Sequence, residues 1–305
     1  MNKNLLSKGY LIVDWGTTNF RVFLMNKQGE LVKNKELGLG LLQVKDNDFA
    51  NALEGVLSQW LDNYKSLPII MAGMVGSMQG WFNVDYVETD VDTNLLAQNS
   101  YRFELPWGAQ AIIIPGVMHK LSADRFDVMR GEEVQIFGAA KLINKRLFSV
   151  VLPGTHSKHV RVVNGKITEV LSFMTGELFS VITEHTILGK GLPEQKYNPE
   201  VFLLGVKESK SAKLTNVLFA ARTHRLFKNI DDSDVHSYIS GLLIGHELHS
   251  LSGGHIYIVG GESLCEKYKL ACSALTIAFT YVNGDECFLA GMTDLIKVLH
   301  QNEKI

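Results

Sequence analysis

YLIVDWGTTNFRVFLMN, residues 10–26, is an apolar run that stops at Asp14, turns through Trp15-Gly16-Thr17-Thr18-Asn19 and resumes as Phe20-Arg21-Val22-Phe23-Leu24. Two such runs around a short Gly/Thr/Asn segment predict a β-hairpin. A turn that only joins strands needs no more than Asn-Gly. This one carries an acid, a glycine and two hydroxyls, groups that suit a ligand.

The plan recurs. IVDWGTTNFRVFLMNKQGE (12–30) and VVLPGTHSKHVRVVNGK (150–166) each run from an apolar strand into Gly-Thr, a polar tip, an Arg-Val pair and a turn holding Asn and Gly. The echo points to duplication: two similar lobes, each presenting a Gly-Thr tip. Two such tips at one cleft would offer backbone N–H groups and hydroxyls, and polyphosphate, an acceptor on every side, is the ligand they suit. A length of 305 residues also favours two lobes. The expected division is 1–130 and 131–305, with the terminal helix packing back on the first lobe.

Composition removes several classes. A net charge of -2 gives no broad basic surface for nucleic acid. The lysines of Met1–Tyr10 are followed by an apolar run cut at Asp14, unlike a signal peptide, and no stretch approaches the ~20 apolar residues that span a bilayer. Cys265, Cys272 and Cys287 lack CxxC spacing and read as buried apolar residues of a reducing compartment. The expected setting is cytoplasmic, with no nucleic-acid or membrane partner.

Strand and helix signals alternate, which predicts an α/β protein. After the hairpin come a third strand over Glu30–Glu36, an amphipathic helix over Phe49–Tyr64, and a buried strand, Ile69–Ala72, that runs into Gly73-Met74-Val75-Gly76-Ser77. Residues 81–110 give no period. A strand at Ala111–Ile114 and a helix at Gly131–Leu142 follow. The second half reads as a strand at Leu147–Leu152 and a hairpin closed by Asn164-Gly165. Helices follow at 175–188, 211–228 and 234–251, then a strand at His255–Val259, a helix at 262–272, a strand near 276–282 and a helix near 286–299.

Asp14-Trp15-Gly16-Thr17-Thr18-Asn19, Pro153-Gly154-Thr155-His156 and Val259-Gly260-Gly261-Glu262-Ser263-Leu264 resemble the two phosphate hairpins and the adenosine turn of the acetate kinase, sugar kinase, heat-shock-70 and actin superfamily. The set DWGTTNFR, MAGMVGS, MRGEEVQIFGA, LPGTHSKHV, MTGEL, GKGLP and SGLLIGHE, in order over residues 14–247, is similar to the 2-dehydro-3-deoxygalactonokinase family. The departures are VGGESL where an Ala-Gly-Thr-Ser-Leu type is expected, and GKGLP for GAGLP. The resemblance implies a two-lobed actin-like ATPase (ribonuclease H-like) fold, mixed sheets flanked by helices, and an interlobe cleft for ATP and sugar. It also implies transfer of the ATP γ-phosphoryl group to the 6-hydroxyl of 2-dehydro-3-deoxy-D-galactonate, in galactonate breakdown.

Roles follow from the chemistry that such a transfer needs, which is positioning and electrostatics. Asp14 is either a water-mediated Mg²⁺ ligand or an Asx-turn acid. Gly16, Thr17, Thr18 and Asn19 from one tip, and Gly154, Thr155 and His156 from the other, are the phosphate set. Gly260, Gly261, Glu262 and Ser263 are the adenosine set, though Glu262 and Ser263 could equally cap a helix. The resemblance puts a catalytic acid at the start of the helix after Gly131 and points to Glu132, with Glu133 in reserve, since neighbours on a helix diverge by about 100°. Gly73, Met74, Gly76, Ser77, Arg130, Thr175 and Glu177 are the substrate candidates. The substrate carboxylate needs a cation, for which Arg21, Arg130 and Lys158 compete; Arg21 could instead be in a structural ion pair.

Some patterns are excluded. No GxxxxGK[ST] or GxSxG occurs. His246-Glu247-Leu248-His249 has one residue too few between its histidines for a zinc helix, and the histidines read as partly exposed helix residues. The alternatives are an actin-like or exopolyphosphatase-like phosphohydrolase, or a kinase for another sugar acid. A homodimer is one assembly open to the chain.

Overall fold

The computed structural model describes residues 9–210, 213–251 and 253–302. The lysine-bearing start weighed against a signal peptide, residues 1–8, and the first two positions of the expected 211–228 helix lie outside them. The chain forms two compact units. One runs to Arg146 and includes Val162–Val170 and the chain from Glu286; the other is Leu147–Arg161 with Leu171–Asp285.

In the first unit, β1 (Tyr10–Trp15), β2 (Phe20–Met25) and β3 (Leu31–Leu37) form an antiparallel meander. α1 (Phe49–Ser58) then leads to β4 (Ile69–Ala72), parallel to β1. β1 is central and nearly all buried, whereas β3 is a mostly exposed edge whose Lys33 and Lys35 discourage further pairing. Asp48 caps α1 by accepting from Asn51 N–H. The helix buries Phe49, Leu53, Val56 and Leu57 against the sheet. It stops short of the expected Tyr64. Asp62 and Asn63 favour a turn, and Tyr64 enters the core from a single 3₁₀ turn while its hydroxyl donates to Glu54.

The unassigned 81–110 stretch holds β5 (Val87–Glu88), α2 (Thr93–Gln98), β6 (Tyr101–Glu104) and the start of β7 (Gln110–Ile113). These elements are too short to establish a period. β8 (Val117–Ser122) and β9 (Arg125–Met129), a hairpin the sequence reading lacked, join β5 in a small sheet. α3 (Glu132–Leu142) belongs to this unit rather than to a second lobe beginning at residue 131. A Cβ on Gly138 would stand 1.7 Å from the Cys287 carbonyl oxygen, so α3 lies directly against the terminal helix.

In the second unit, β10 (Phe148–Leu152), β11 (Ser157–Val163) and β12 (Lys166–Phe173) precede α4 (Thr175–His185), α5 (Pro199–Glu208), α6 (Leu214–Leu218), α7 (Ala220–Leu226) and α8 (Val235–Leu248). β13 (Ile256–Gly260), α9 (Glu262–Ala274) and β14 (Phe279–Asn283) follow, and α10 (Gly284–Asn302) returns the chain to the first unit. The far end of the β11–β12 hairpin also counts with the first unit, where Ile167 bridges Val91. α5 was absent from the sequence reading, although Asn198 caps it and Pro199 starts it. The expected 211–228 helix is two short ones.

The sheets share one plan. The order β3-β2-β1-β4-β7 in the first, extended by β6, matches β12-β11-β10-β13-β14 in the second. β4 and β7 run parallel to one another, as do β13 and β14, and β13 is parallel to β10 as β4 is to β1. The Gly-Thr echo in the sequence therefore marks equivalent strand-turn-strand corners. α8 is buried on nearly all sides and meets α5 through Gly205 and Gly241. Gly241→Ala would set a Cβ 1.9 Å from the Phe202 carbonyl oxygen. We expect it to lower stability by about 1–3 kcal/mol in urea denaturation; an unchanged midpoint would mean that the helices part without cost.

Candidate active site

The first tip is the four-residue connection Gly16–Asn19 between β1 and β2, closed by Gly16 N–H on the Asn19 carbonyl at 2.9 Å. The carbonyls of Gly16, Thr17 and Thr18 accept from backbone N–H groups at 40–42. Their negative ends are thereby turned into the protein, and Thr17, Thr18 and Asn19 stand exposed. A tip with its carbonyls occupied and its hydroxyls in solvent can take an anion without carbonyl repulsion. Asp14 sits at the end of β1, opposite Arg21 in the strand register. Its Oδ2 accepts from Arg21 Nη2 at 2.5 Å and Nε at 3.1 Å.

Two glycine turns close in on that acid. Gly73 ends β4 with φ +94°, and a Cβ there would come within 3.1 Å of Asp14 Oδ1. Gly131 opens α3 with φ +108°, and its Cβ would lie 3.3 Å from Gly73 Cα. Both need glycine's access to positive φ, and both need the missing side chain. The start of α3 is thereby brought beside the ends of β1 and β4. Glu132, only partly buried, accepts from Arg130 N–H at 3.0 Å. Glu133 is fully buried, and both its oxygens accept from Gly131 N–H. Burial, with the Glu132 charge adding to it, pushes the Glu133 carboxyl up to about 8. Of the two acids, only Glu132 meets solvent. Ser77 and Arg130 are also buried nearby, each 7% exposed.

The second tip, Gly154-Thr155-His156, leaves Thr155 and His156 exposed after β10. The start of α4 is pressed against it, with Gly176 under the Gly154 carbonyl and Glu177 N–H donating to the Thr155 carbonyl at 3.0 Å. Glu177 Oε2 and His156 Nε2 are 2.5 Å apart. Lys158 is 94% buried and donates to Ser172 at 2.5 Å. Thr175 and Glu177, taken from the sequence as sugar contacts, thus support the tip itself.

Beneath the tip lies a buried polar cluster. The Glu247 carboxylate on α8 accepts from Ser157 Oγ at 2.7 Å, His159 Nε2 at 2.9 Å, Tyr268 OH at 2.7 Å, and Thr175 Oγ1. Glu247 is 2% exposed, whereas the two histidines beside it stay partly or fully exposed on the helix, as the sequence reading expected. The motif faced two ways: His246 and His249 remain at the surface while Glu247 points inward.

Against the same residues lies a pocket of about 210 Å³, its floor formed by Gly154, Thr175 and Gly176 and its walls by Phe179, Leu243, Ile244 and Leu264. Ser240, Lys267 and Tyr268 supply its polar edge, and Lys267 has its ammonium pKa lowered by burial. A second hollow, sharing Leu264 and Lys267, is lined by Gly261, Glu262 and Ser263, all three exposed. The wall residues were missed by sequence reading. They are apolar positions on three separate helices and carry no local signal. Leu243, Ile244 and Leu264 lay inside the quoted SGLLIGHE and VGGESL motifs without a role being read for them, and Phe179 lay in none.

Two tests follow from this geometry. Between its ordinary 4.5 and about 8, buried Glu133 holds a proton that the unfolded chain has released. Its contribution to stability therefore falls as pH rises through that window. Glu133→Gln should flatten the fall in urea midpoint between about pH 5 and about pH 8; an unaltered pH profile would mean that Glu133 is ionised throughout. Glu247→Leu strands four buried donors and should cost about 3–5 kcal/mol. A loss below about 1 kcal/mol would mean that those donors find other acceptors.

The model of the family described as 2-keto-3-deoxy-galactonokinase matches residues 14–295. The chain is 32% identical to the 2-dehydro-3-deoxygalactonokinase of Escherichia coli K12, over 94% of this chain and 97% of that protein. A crystal structure from Sinorhizobium meliloti, assigned by name to the same kinase, superposes with a TM-score of 0.88 at 31% identity, covering 94% of this chain and 98% of that one. The ADPNP-bound activator of 2-hydroxyisocaproyl-CoA dehydratase from Clostridium difficile shares the fold alone, with a TM-score of 0.52 at 12% identity over 97% of this chain and 98% of that one. With its paired five-strand plan the chain has the actin-like ATPase fold, and it belongs to the 2-keto-3-deoxy-galactonokinase family.

Proposed function

We propose that this protein transfers the γ-phosphoryl group of ATP to the 6-hydroxyl of 2-dehydro-3-deoxy-D-galactonate, giving the 6-phosphate and ADP in galactonate breakdown. Family membership supplies the substrate class. The observation that carries the chemistry is the convergence of Asp14, Gly73 and the start of α3, which brings a phosphate-tip acid and a partly exposed carboxylate to neighbouring strand ends.

Glu132 is the base in this reading. As O6 attacks the γ-phosphorus, its proton passes to the Glu132 carboxylate, and the bond to the β-phosphate oxygen breaks to release ADP. Glu133, buried and held on Gly131 N–H, fixes the turn that aims Glu132. Gly16, Thr17, Thr18 and Asn19 hold phosphate oxygens, as do Gly154, Thr155 and His156, with Glu177 orienting the His156 ring. Gly73, Met74 and Gly76 line the sugar site. The base of ATP enters the apolar pocket of Phe179, Leu243, Ile244 and Leu264, and its ribose lies along Gly260, Gly261, Glu262 and Ser263.

Mg²⁺ fits this donor set. The ion takes one or two carboxylates and keeps much of its water, and Asp14 offers one carboxylate at the base of a phosphate tip. Held through Asp14, it would neutralise charge on the transferred group. Three buried free thiols accord with a cytoplasmic setting; the homodimer stays a proposal that sedimentation would check.

The test is an ADP-release assay with ATP and Mg²⁺, using the galactonate acid, its gluconate epimer and no acceptor. Turnover should require the galactonate acid, and Glu132→Gln should lower kcat by roughly 10²–10⁴. Equal ATP consumption without any acid would replace this reading with a phosphohydrolase. A fully active Glu132→Gln would move the base elsewhere.

A further inference from the structure

Three cations competed for the substrate carboxylate, and their surroundings separate them. Arg21 is paired with Asp14, and Lys158 with Ser172. Arg130 differs. Its Nη2 donates to the Val84 carbonyl at 2.7 Å, and its guanidinium lies over the Tyr86 ring at 4.3 Å, yet neither Nε nor Nη1 reaches an acceptor. Nη1 rests against Gly76, where a Cβ would stand 2.9 Å away. The next residue, Ser77, has a hydroxyl that is likewise buried and unpartnered. Stranded buried donors are costly, and charged ones most of all. Arg130 Nη1 against Gly76, and the hydroxyl of the residue that follows it, thus place two unpartnered buried donor groups in one segment, a combination that suits an anion.

We propose that Arg130 and Ser77 form the subsite for the substrate's C1 carboxylate, with Tyr86 and Val84 holding the guanidinium in place. The assignment rests on the kinase reading above for its substrate and deepens it. A planar guanidinium matches a planar carboxylate through parallel N–H···O bonds, which a lone ammonium cannot do. Arg130 also donates its backbone N–H to Glu132. The cation that fixes one end of the acceptor is therefore two residues from the base that serves the other, and anchoring C1 sets where the 6-hydroxyl falls. A neutral sugar leaves the guanidinium buried without a counter-charge, so the subsite selects acids over aldoses.

The experiment compares 2-dehydro-3-deoxy-D-galactonate with 2-deoxy-D-threo-pentose, the same chain with hydrogen in place of the carboxylate. Turnover is read with ATP and Mg²⁺, and binding of the acid is read by calorimetry without nucleotide. Arg130→Met should raise KM and Kd for the acid by roughly 10- to 100-fold, and Ser77→Ala should raise them by a smaller factor. The KM for ATP and the kcat/KM for the pentose should stay within about threefold. Arg130→Lys, which keeps the charge but not the fork, serves where the methionine variant folds poorly, and should fall between the two. Parallel losses on acid and pentose would assign Arg130 a structural role and overturn the proposal, as would an unchanged Kd or a wild type that does not bind the acid. Wild-type protein that binds the acid through Arg130 but never phosphorylates it would overturn the kinase reading and uphold this one.

Discussion

The second unit is organised around one ionisable group, the Glu247 carboxylate. It accepts from side chains at the start of β11, at the start of α4 and on α9, while its own backbone belongs to α8. Those elements carry, respectively, the end of the Gly154–His156 tip, the glycine pressed beneath that tip, and the helix that opens at Gly261. One carboxylate thus ties the Gly154–His156 turn to the helix that opens at Gly261. Hydrogen-bond directionality makes such a centre more exacting than an apolar contact. Each donor must point at one of two oxygens, so displacing any element leaves a buried group unpaired. The Tyr268 phenol, driven well above its usual pKa by burial and then by the Glu247 charge, stays a donor throughout.

The first unit uses a different constraint, close approach. Asp14, Gly73 and Gly131 come together because two turns lack side chains and adopt positive φ. This division of Glu132 and Glu133 into an accessible acid and a buried one follows from helix geometry. Adjacent positions turn by about 100°, so only one can face solvent, and the other must be satisfied locally. Gly131 N–H does this for Glu133, which lets a carboxyl persist at zero exposure.

The parts legible in the sequence were those whose signal is local. The YLIVDW–FRVFLM hairpin, the IIMA strand and both Gly-Thr tips are contiguous patterns, and the strand order confirms that the two tips occupy equivalent corners. What escaped was of two kinds. Elements such as β5 and α2 are shorter than the period that would announce them. The pocket walls, Glu247 and the contacts of Arg130 depend on residues far apart in the chain: Glu247 reaches back 90 residues to Ser157 and 72 to Thr175. No spacing rule reports such a partnership. Arg21 is intermediate, since its pairing with Asp14 can be read once the hairpin register is fixed, yet its residue type equally suited a phosphate or a carboxylate. α5 is a plain omission, because Asn198-Pro199 was available as a start signal.

The duplicated plan also explains an asymmetry between the tips. β1 carries Asp14 one residue before its end, whereas β10 ends in Leu152 and meets Pro153 at the corresponding corner. An acid at such a corner repels an anion unless a cation lies between them. With one acid and one neutral corner, the acid can hold a cation that phosphate also binds, and the other corner can offer donors alone. Arg21 answers the charge of the acidic corner within its own hairpin, with Nη2 at 2.5 Å from Asp14 Oδ2. The two corners therefore share their strand order and differ in charge, so that the first could hold a cation while the second could meet an anion with donors alone.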